Sequence, residues 1–262
     1  MTECSGVVGL SGTDPGGPYP GDPRLLSGLD GSLMVYNMLK SNEIYLDDPV
    51  RHIRVEVFEP RAVEVVAGRS QDLARVVNLA VAAADRVPVY RRRGGGGAVV
   101  LAPGMLVIAV SAPNPGRFEV RTPFARVQEP VRRVLARWGA DATSRGTSDL
   151  ALGSQKILGS SLFQTRERWV YQGVLLVCPD RRLFDRYLAY PDREPAYRAG
   201  RSHLEFTTSL MEEGLPPRPG ELARPLAEEI MRSLGDEARS DVAPAWGEHG
   251  QRRGLGVAQA AG

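Results

Sequence analysis

The chain is expected to fold as an α+β domain: a mixed, largely antiparallel sheet flanked by helices. Three observations predict this. Short apolar runs recur with a period of two, as at Ile53, Val55 and Val57 set against Arg54 and Glu56. Several runs come in adjacent pairs joined by turn residues, Pro103-Gly104 in one case and Gly153-Ser154 in another. Other runs are separated by stretches with helical spacing. Strands in hairpin-like pairs with helices beside them argue against a doubly wound parallel sheet.

The elements follow in order. Ser32 is positioned to cap a helix ending near Pro49. Strands are expected around residues 53–57 and 62–67. Gly68-Arg69-Ser70-Gln71 comes next, with Ser70 the expected N-cap of a helix through Leu73, Val76, Val77, Ala80 and Ala84. Val87 to Tyr90 returns as a strand. Ala98–Leu101 and Leu106–Ser111 are apolar enough for central strands. Phe124, Val127, Val131, Val134, Leu135 and Trp138 share one helical face, with Pro130 marking a kink or a later start. Asp149–Leu152 and Lys156–Leu162 form a hairpin around Gly153-Ser154. Val170–Val177 is a further strand, and Leu183, Tyr187 and Leu188 indicate a short helix. Glu221 to Leu234 reads as a helix stopped by Gly235.

Composition bounds the rest. The 262 residues are 42% hydrophobic and 24% charged, ordinary values for a globular chain. A net charge of +2 forces no polybasic face, so nucleic acid is not an expected partner. No apolar run reaches the length of a membrane span, and no signal peptide is visible. Two cysteines, Cys4 and Cys178, make no disulfide framework, which fits a cytoplasmic protein. Residues 1–31 and 236–262 are polar or rich in glycine and proline, and are expected to be flexible; the folded domain is expected over 32–235.

Candidate chemistry concentrates in three segments. Arg91-Arg92-Arg93 precedes Gly94-Gly95-Gly96-Gly97-Ala98, which lies between two expected strands. Bare backbone of this kind lets a ligand lie against the chain and turns N–H groups toward an anion, with arginines at hand as bidentate partners. The plain alternative is a flexible glycine loop. It is not a nucleotide P-loop, because no Gly-Lys-Ser/Thr follows. The second segment pairs Asp149 with Lys156 across the hairpin. Lysine is scarce here: two residues, Lys40 and Lys156, against thirty-one arginines. An ammonium is a compact point charge where guanidinium is a broad planar fork, so a lysine kept in a glycine-flanked stretch points to a task arginine cannot perform. A surface ion pair is the ordinary reading of the same two residues. The third segment is Tyr171-Gln172-Gly173-Val174, where a glycine within a strand implies close approach by ligand or backbone.

Taken together, and in this order, the three segments resemble the lipoate–protein ligase branch of the biotin/lipoate ligase family. Arg91, Arg92 and Gly94 to Ala98 match the family's Arg-Arg-x-Ser-Gly-Gly-Gly-Ala loop, with Gly94 at the serine position. Ser148-Asp149-Leu150 and Gly153 to Gly159 answer to its Asn-Asp-Leu strand and Gly-x-Lys-x-x-Gly hairpin, with one extra residue before the lysine. Gly68-Arg69-Ser70-Gln71 and Asn78 resemble its Gly-Arg-x-Gln segment and later asparagine. The resemblance covers about Ser32 to Leu234.

It implies a class II synthetase-like fold and a two-step ATP-dependent activation of lipoate. Lys156 would be the catalytic cation. Arg69, Arg92, Gly95, Gly96, Gly97, Ala98, Asp149 and Gly159 would bind ATP and the acyl-adenylate, Asp149 also touching Mg²⁺. Val99, Gly173 and Leu175 would line the acyl pocket. The partners implied are a lipoyl-carrier protein or domain and a separate small accessory ligase subunit.

The chain departs from the family in two places. Leu101-Ala102-Pro103-Gly104-Met105 stands where many ligases have His-Asp-x-Gly-Asn, and Tyr171-Gln172-Gly173-Val174 replaces His-His-Gly-Thr. Tyr197-Arg198-x-x-Arg201-x-His203 resembles a subgroup feature, with His203 read as a capping or surface residue. Two alternatives stay open: an octanoyltransferase on the same fold, for which Cys178 is the candidate thiol, and a non-catalytic acyl- or carrier-binding relative.

Overall fold

A computed structural model describes residues 35–37, 53–114, 121–215 and 218–240. Among these described residues ten strands form two sheets. The strands are β1 (Val35–Asn37), β2 (Arg54–Phe58), β3 (Glu64–Ala67), β4 (Val89–Arg91), β5 (Val99–Leu101), β6 (Met105–Pro113), β7 (Ala142–Arg145), β8 (Asp149–Leu152), β9 (Gln155–Gln164) and β10 (Arg168–Leu176). The larger sheet runs β2-β6-β10-β9-β8-β7 and is antiparallel at every pairing. The smaller runs β1-β4-β3-β5, with β4 parallel to both β1 and β3, and β5 antiparallel to β3. The expected mixed, largely antiparallel character holds, divided between two sheets.

Two long helices cover one face of the larger sheet. Helix α3 (Arg121–Arg137) buries Phe124, Val127, Val131, Val134 and Leu135. Helix α6 (Pro219–Ser240) buries Leu222, Leu226, Ile230 and Leu234, spaced four apart and fully shielded. Both meet Leu106, Ile108, Val110, Trp169, Tyr171 and Leu175 from the sheet. Each such side chain contributes about 1.5–3 kcal/mol, against about 0–1 kcal/mol for an exposed ion pair, so apolar packing fixes this layer. Pro130 lies inside α3 without ending it.

Helices α1 (Leu73–Val76), α2 (Leu79–Ala84) and α4 (Arg182–Tyr187) pack with β3, β4 and β5 in a second core around Val65, Val89, Val100 and Phe184. Between the sheets, Val66, Val99, Leu101 and Tyr90 of the smaller meet Val107 and Val174 of the larger.

Several boundaries differ from the sequence expectation. Residues 35–37 are a strand, not part of a helix from Ser32; the rest of that expected helix lies outside the described residues. The cap of α1 is Asp72, whose carboxylate accepts from the Ala74 amide at 3.1 Å, not Ser70. The helix is then broken at Val77, which is extended and bridges to Leu188, and α2 restarts after Asn78. Gly235 does not stop α6, which runs on to Ser240, past the expected start of the flexible tail. Residues 1–31, expected to be flexible, and residues 241–262 lie outside the described residues.

Candidate active site

The hairpin β8–β9 turns at Gly153, which takes φ +55°, a conformation glycine enters without penalty. The strands lose register between Leu150 and Ala151: Ala151 faces Lys156, while Leu150 faces Leu158. Ile157 is thus an extra residue on β9, a bulge that re-aims its neighbour. Asp149 pairs with Gly159. The Lys156 side chain lies across that glycine, and its Nζ is 2.9 Å from Asp149 Oδ1. A Cβ at Gly159 would sit 2.5 Å from both Cε and Nζ of Lys156. The space above Gly159 is therefore the place the amine occupies.

Asp149 is 8% exposed at its side chain, Lys156 26%. The carboxylate has two further partners: Oδ1 also accepts from Ser148 Oγ at 3.1 Å, and Oδ2 from the Tyr197 hydroxyl at 2.8 Å. Asp149 was expected to touch a metal, but both its oxygens are already engaged. Among the described residues no group of three metal-ligating side chains gathers. Asp149 is thus no part of a cluster among the described residues that would hold a resident Mg²⁺.

The glycine loop is ordered from within. Arg92 is buried, and its Nη2 donates to the carbonyls of Gly95 at 2.6 Å and Gly97 at 2.9 Å, while Nη1 donates to Val66 at 3.2 Å. Burial pulls its guanidinium down to about 10, still charged at neutral pH. Arg92 was expected to hold a phosphate; it holds the loop instead. Arg91 does the same for the preceding turn, donating to the carbonyls of Gly68, Arg69 and Gln71. Gly68 lies so close that a Cβ there would be 2.1 Å from the Gly96 carbonyl oxygen, and the Arg69 amide donates to Gly94 O at 3.0 Å. Gly95, Gly96, Gly97 and Arg69 are exposed, and Ala98 and Val99 half-buried.

The loop leans on the strand that carries the lysine. A Cβ at Gly94 would be 3.0 Å from Ser161 Oγ. Ser161 and Gly159 share one face of β9, so the loop and the amine border the same strip of sheet. Gly94 stands at the family's serine position, and Ser161 supplies a hydroxyl beside it.

Strand alternation corrects two of the pocket residues. On β10, Leu175 is fully buried in the helix-side core with Tyr171 and Trp169. Gly173 is on that same face, beneath Tyr171: a Cβ there would meet the phenol oxygen at 2.8 Å. Neither borders the space between the sheets. Val174, and by alternation Gln172, turn that way, and Val99 faces Val174 across the gap. Sequence reading named Val174, Gln172 and Tyr197 within its motifs but gave them no role in the site, and it missed Ser161. Period-two alternation anchored on buried Leu175 finds the first two. His203 begins the short helix α5 (His203–Phe206) and turns its Nδ1 to Asp185 at 3.0 Å, consistent with a structural role. Cys178 follows β10, and its amide donates to Gly104 O at 2.8 Å.

Comparison with known proteins decides the lineage of this arrangement. A family model described as the lipoyl protein ligase A/B catalytic domain matches residues 59–230. The chain belongs to the lipoyl protein ligase A/B family. It is similar to a putative lipoate-protein ligase A of Aeropyrum pernix, 28% identical over 175 residues, which are 66% of this chain and 65% of that relative. It therefore spans just under two-thirds of that relative's length. Two solved structures share the fold. A bipartite lipoate protein ligase with its E2 lipoyl domain, from Thermoplasma acidophilum, superposes with a TM-score of 0.65 at 20% identity, covering 74% of this chain and 76% of that one. A lipoate-protein ligase A bound with ATP superposes with a TM-score of 0.63 at 17% identity, covering 79% and 84%. Among the described residues no helix is long and apolar enough to cross a membrane.

Proposed function

We propose that this chain is an ATP-dependent lipoate–protein ligase. The observation that carries the reading is the Lys156 amine, held by one buried carboxylate over Gly159 and beside an internally braced glycine loop. Family membership and the lipoate-protein ligase relative support it, as does a fold shared with an ATP-bound ligase.

In the first step a carboxylate oxygen of lipoate attacks the α-phosphorus of ATP. The bond to the bridging oxygen breaks, and pyrophosphate leaves. Two anions must meet, and their repulsion is the barrier that a fixed cation lowers. An ammonium has three N–H donors. Asp149 takes one, leaving two for the acyl oxygen and an α-phosphate oxygen. In the second step the amine of a carrier-domain lysine attacks the acyl carbon, the carbon–oxygen bond to AMP breaks, and the attacking nitrogen gives up a proton. Lys156 then offsets the charge on departing AMP. The acyl tail would lie between the sheets against Val99 and Val174.

Arg69, exposed beside the loop, would contact phosphate, and the exposed backbone of Gly95 to Gly97 would meet the adenylate. Mg²⁺ would arrive with the ATP phosphates, since no metal-ligating cluster gathers among the described residues. The acceptor is a lipoyl-carrier protein or domain. The bipartite archaeal neighbour supports a separate accessory subunit as a further partner.

Lys156→Ala should lower lipoyl-adenylate formation by about a hundredfold or more while leaving the thermal transition in place. Lys156→Arg should also fail, because a planar fork does not fit over Gly159. Pyrophosphate release measured with lipoate and ATP checks both, and an active Lys156→Ala enzyme would exclude the assignment. The same assay with octanoyl-carrier and no ATP separates ligation from acyl transfer through Cys178. A chain that binds lipoate and never releases pyrophosphate would be the non-catalytic relative.

A further inference from the structure

We propose that Tyr197 is a positioning residue that sets the Lys156 amine through Asp149. The inference rests on the ligase reading of this site and extends it to a segment remote in sequence. Tyr197 lies in a single 3₁₀ turn, Ala196–Arg198. Ala199 and Gly200 then take φ of +53° and +77°, two left-handed residues that reverse the chain. The reversal brings α5 back against β9. There the Thr208 amide donates to the Lys156 carbonyl at 3.0 Å, and Arg201 Nη2 to Ser154 O at 3.0 Å. Gln155 Nε2 donates to the carbonyls of Glu205 and Thr207. The strap carrying Tyr197 is thus tied to the backbone of the lysine it serves.

The strap closes around Phe206, which is buried. The Tyr197 ring lies 5.0 Å from it, and three cations approach its centroid: Arg198 at 5.1 Å, Arg201 at 5.4 Å and Lys156 Nζ at 6.0 Å. Aromatic faces attract cations at such distances. The amine therefore has two partners, the Phe206 ring and the Asp149 carboxylate. Which one it follows depends on how firmly Asp149 is held.

Tyr197 supplies that hold. Its hydroxyl is the side-chain donor to Asp149 Oδ2, at 2.8 Å, while Oδ1 serves Lys156 and Ser148. Removing it leaves one oxygen of a buried carboxylate without its donor, and rotation about the Cβ–Cγ bond then carries Oδ1 away from the amine. Burial, then the Asp149 charge, raise the phenol pKa above its ordinary value, so it remains a donor across the neutral range.

The test is a cycle of Tyr197→Phe, Asp149→Asn and the double variant in the full chain, with two readouts. One is the rate at which acetic anhydride acylates Lys156 at fixed pH, by mass spectrometry, relative to Lys40, the other lysine. The second is kcat and KM for pyrophosphate release with lipoate and ATP. Tyr197→Phe keeps the ring on Phe206, and near-ultraviolet circular dichroism checks that it folds.

We expect Tyr197→Phe to raise Lys156 labelling several-fold and to lower kcat by about tenfold, as loss of one hydrogen bond to a charged acceptor implies. Asp149→Asn should do at least as much, and the double variant no more than Asp149→Asn alone. Unchanged labelling in Tyr197→Phe, or fully additive effects in the double variant, would overturn the proposal. If the parent chain releases no pyrophosphate, the ligase reading fails. The labelling cycle then still decides whether Tyr197 acts through Asp149.

Discussion

Lys156 reaches Asp149 because Gly159 has no side chain. At Gly159 an added methyl would meet the flexible end of Lys156 at 2.5 Å, and that end can swing away. Gly159→Ala should therefore cost little stability, within about 1 kcal/mol, while displacing the amine and removing most of the activity. At Gly68 the same methyl would meet the Gly96 carbonyl at 2.1 Å, and backbone cannot swing. Gly68→Ala should lower both stability and activity. Melting curves and pyrophosphate release on the two variants check the contrast, and equal losses of stability would contradict it. Lys156 was legible from composition, since one of two lysines in an arginine-rich chain is conspicuous. Asp149 was legible from hairpin spacing. The direction of Arg92 was not: an arginine before a glycine loop reads as a phosphate ligand, whereas here the loop's own carbonyls take its donors. Leu175 and Gly173 were misplaced because a strand residue's face depends on register, and nothing local in the sequence sets it.

At the scale of elements, the turns carry the information that sequence gives most reliably. Gly153-Ser154 closes the β8–β9 hairpin, while Pro103-Gly104 passes the chain from β5 in the smaller sheet to β6 in the larger; both glycines have positive φ, +55° and +85°. They differ in surroundings. Nothing lies within 4 Å of a Cβ at Gly153, while one at Gly104 would be 2.6 Å from the Cys178 carbonyl oxygen. That contact accompanies hydrogen bonds from the Val177 and Cys178 amides to Gly104 O, which tie the β5–β6 turn to the end of β10. Gly104→Ala combines backbone strain with a clash against fixed main chain. It should destabilise by about 1–3 kcal/mol, with the loss read as a lower urea midpoint. Gly153→Ala should cost less, having only the strain. Helix ends were less legible. Asp72 outcompetes Ser70 as a cap, although both residue types serve. Gly235 sits inside α6, whose buried stripe of Leu222, Leu226, Ile230 and Leu234 outweighs the roughly 1 kcal/mol a helical glycine costs. Strand β1 was invisible because its partner among the described residues is β4, over fifty residues away and parallel, a pairing that leaves no local signature.

At the scale of the molecule, the site depends on the larger sheet staying flat against α3 and α6, because β8, β9 and β10 present their helix-side residues to that core and their other face to the loop. One polar group crosses this helix layer. Glu229 of α6 is buried and takes Arg232 at 2.6 Å, Arg133 of α3 at 2.8 Å and Arg137 of α3 at 3.1 Å. The Arg232 and Arg133 hydrogen bonds pull its carboxyl from an ordinary 4.5 down to about 2. A carboxylate depressed on folding contributes stability in full above its unfolded value. That contribution is lost as pH falls through the interval between the two, here from about 4.5 toward 2. Each arginine is between 38% and 60% exposed, so the contribution is screened and should shrink in salt. Glu229→Gln keeps the shape and removes the titration. The parent should lose melting temperature on acidification below pH 4.5 more steeply than the variant, and the two curves should converge near pH 2. Parallel curves across that range would mean that apolar packing alone joins α3 to α6. Since α3 and α6 also form the floor beneath Tyr171 and Leu158, a helix pair loosened by acid should release the β9 side of the site first. Backbone amide hydrogen exchange along β9 should then rise with the loss of Glu229's charge, ahead of global unfolding, in the parent and not in Glu229→Gln.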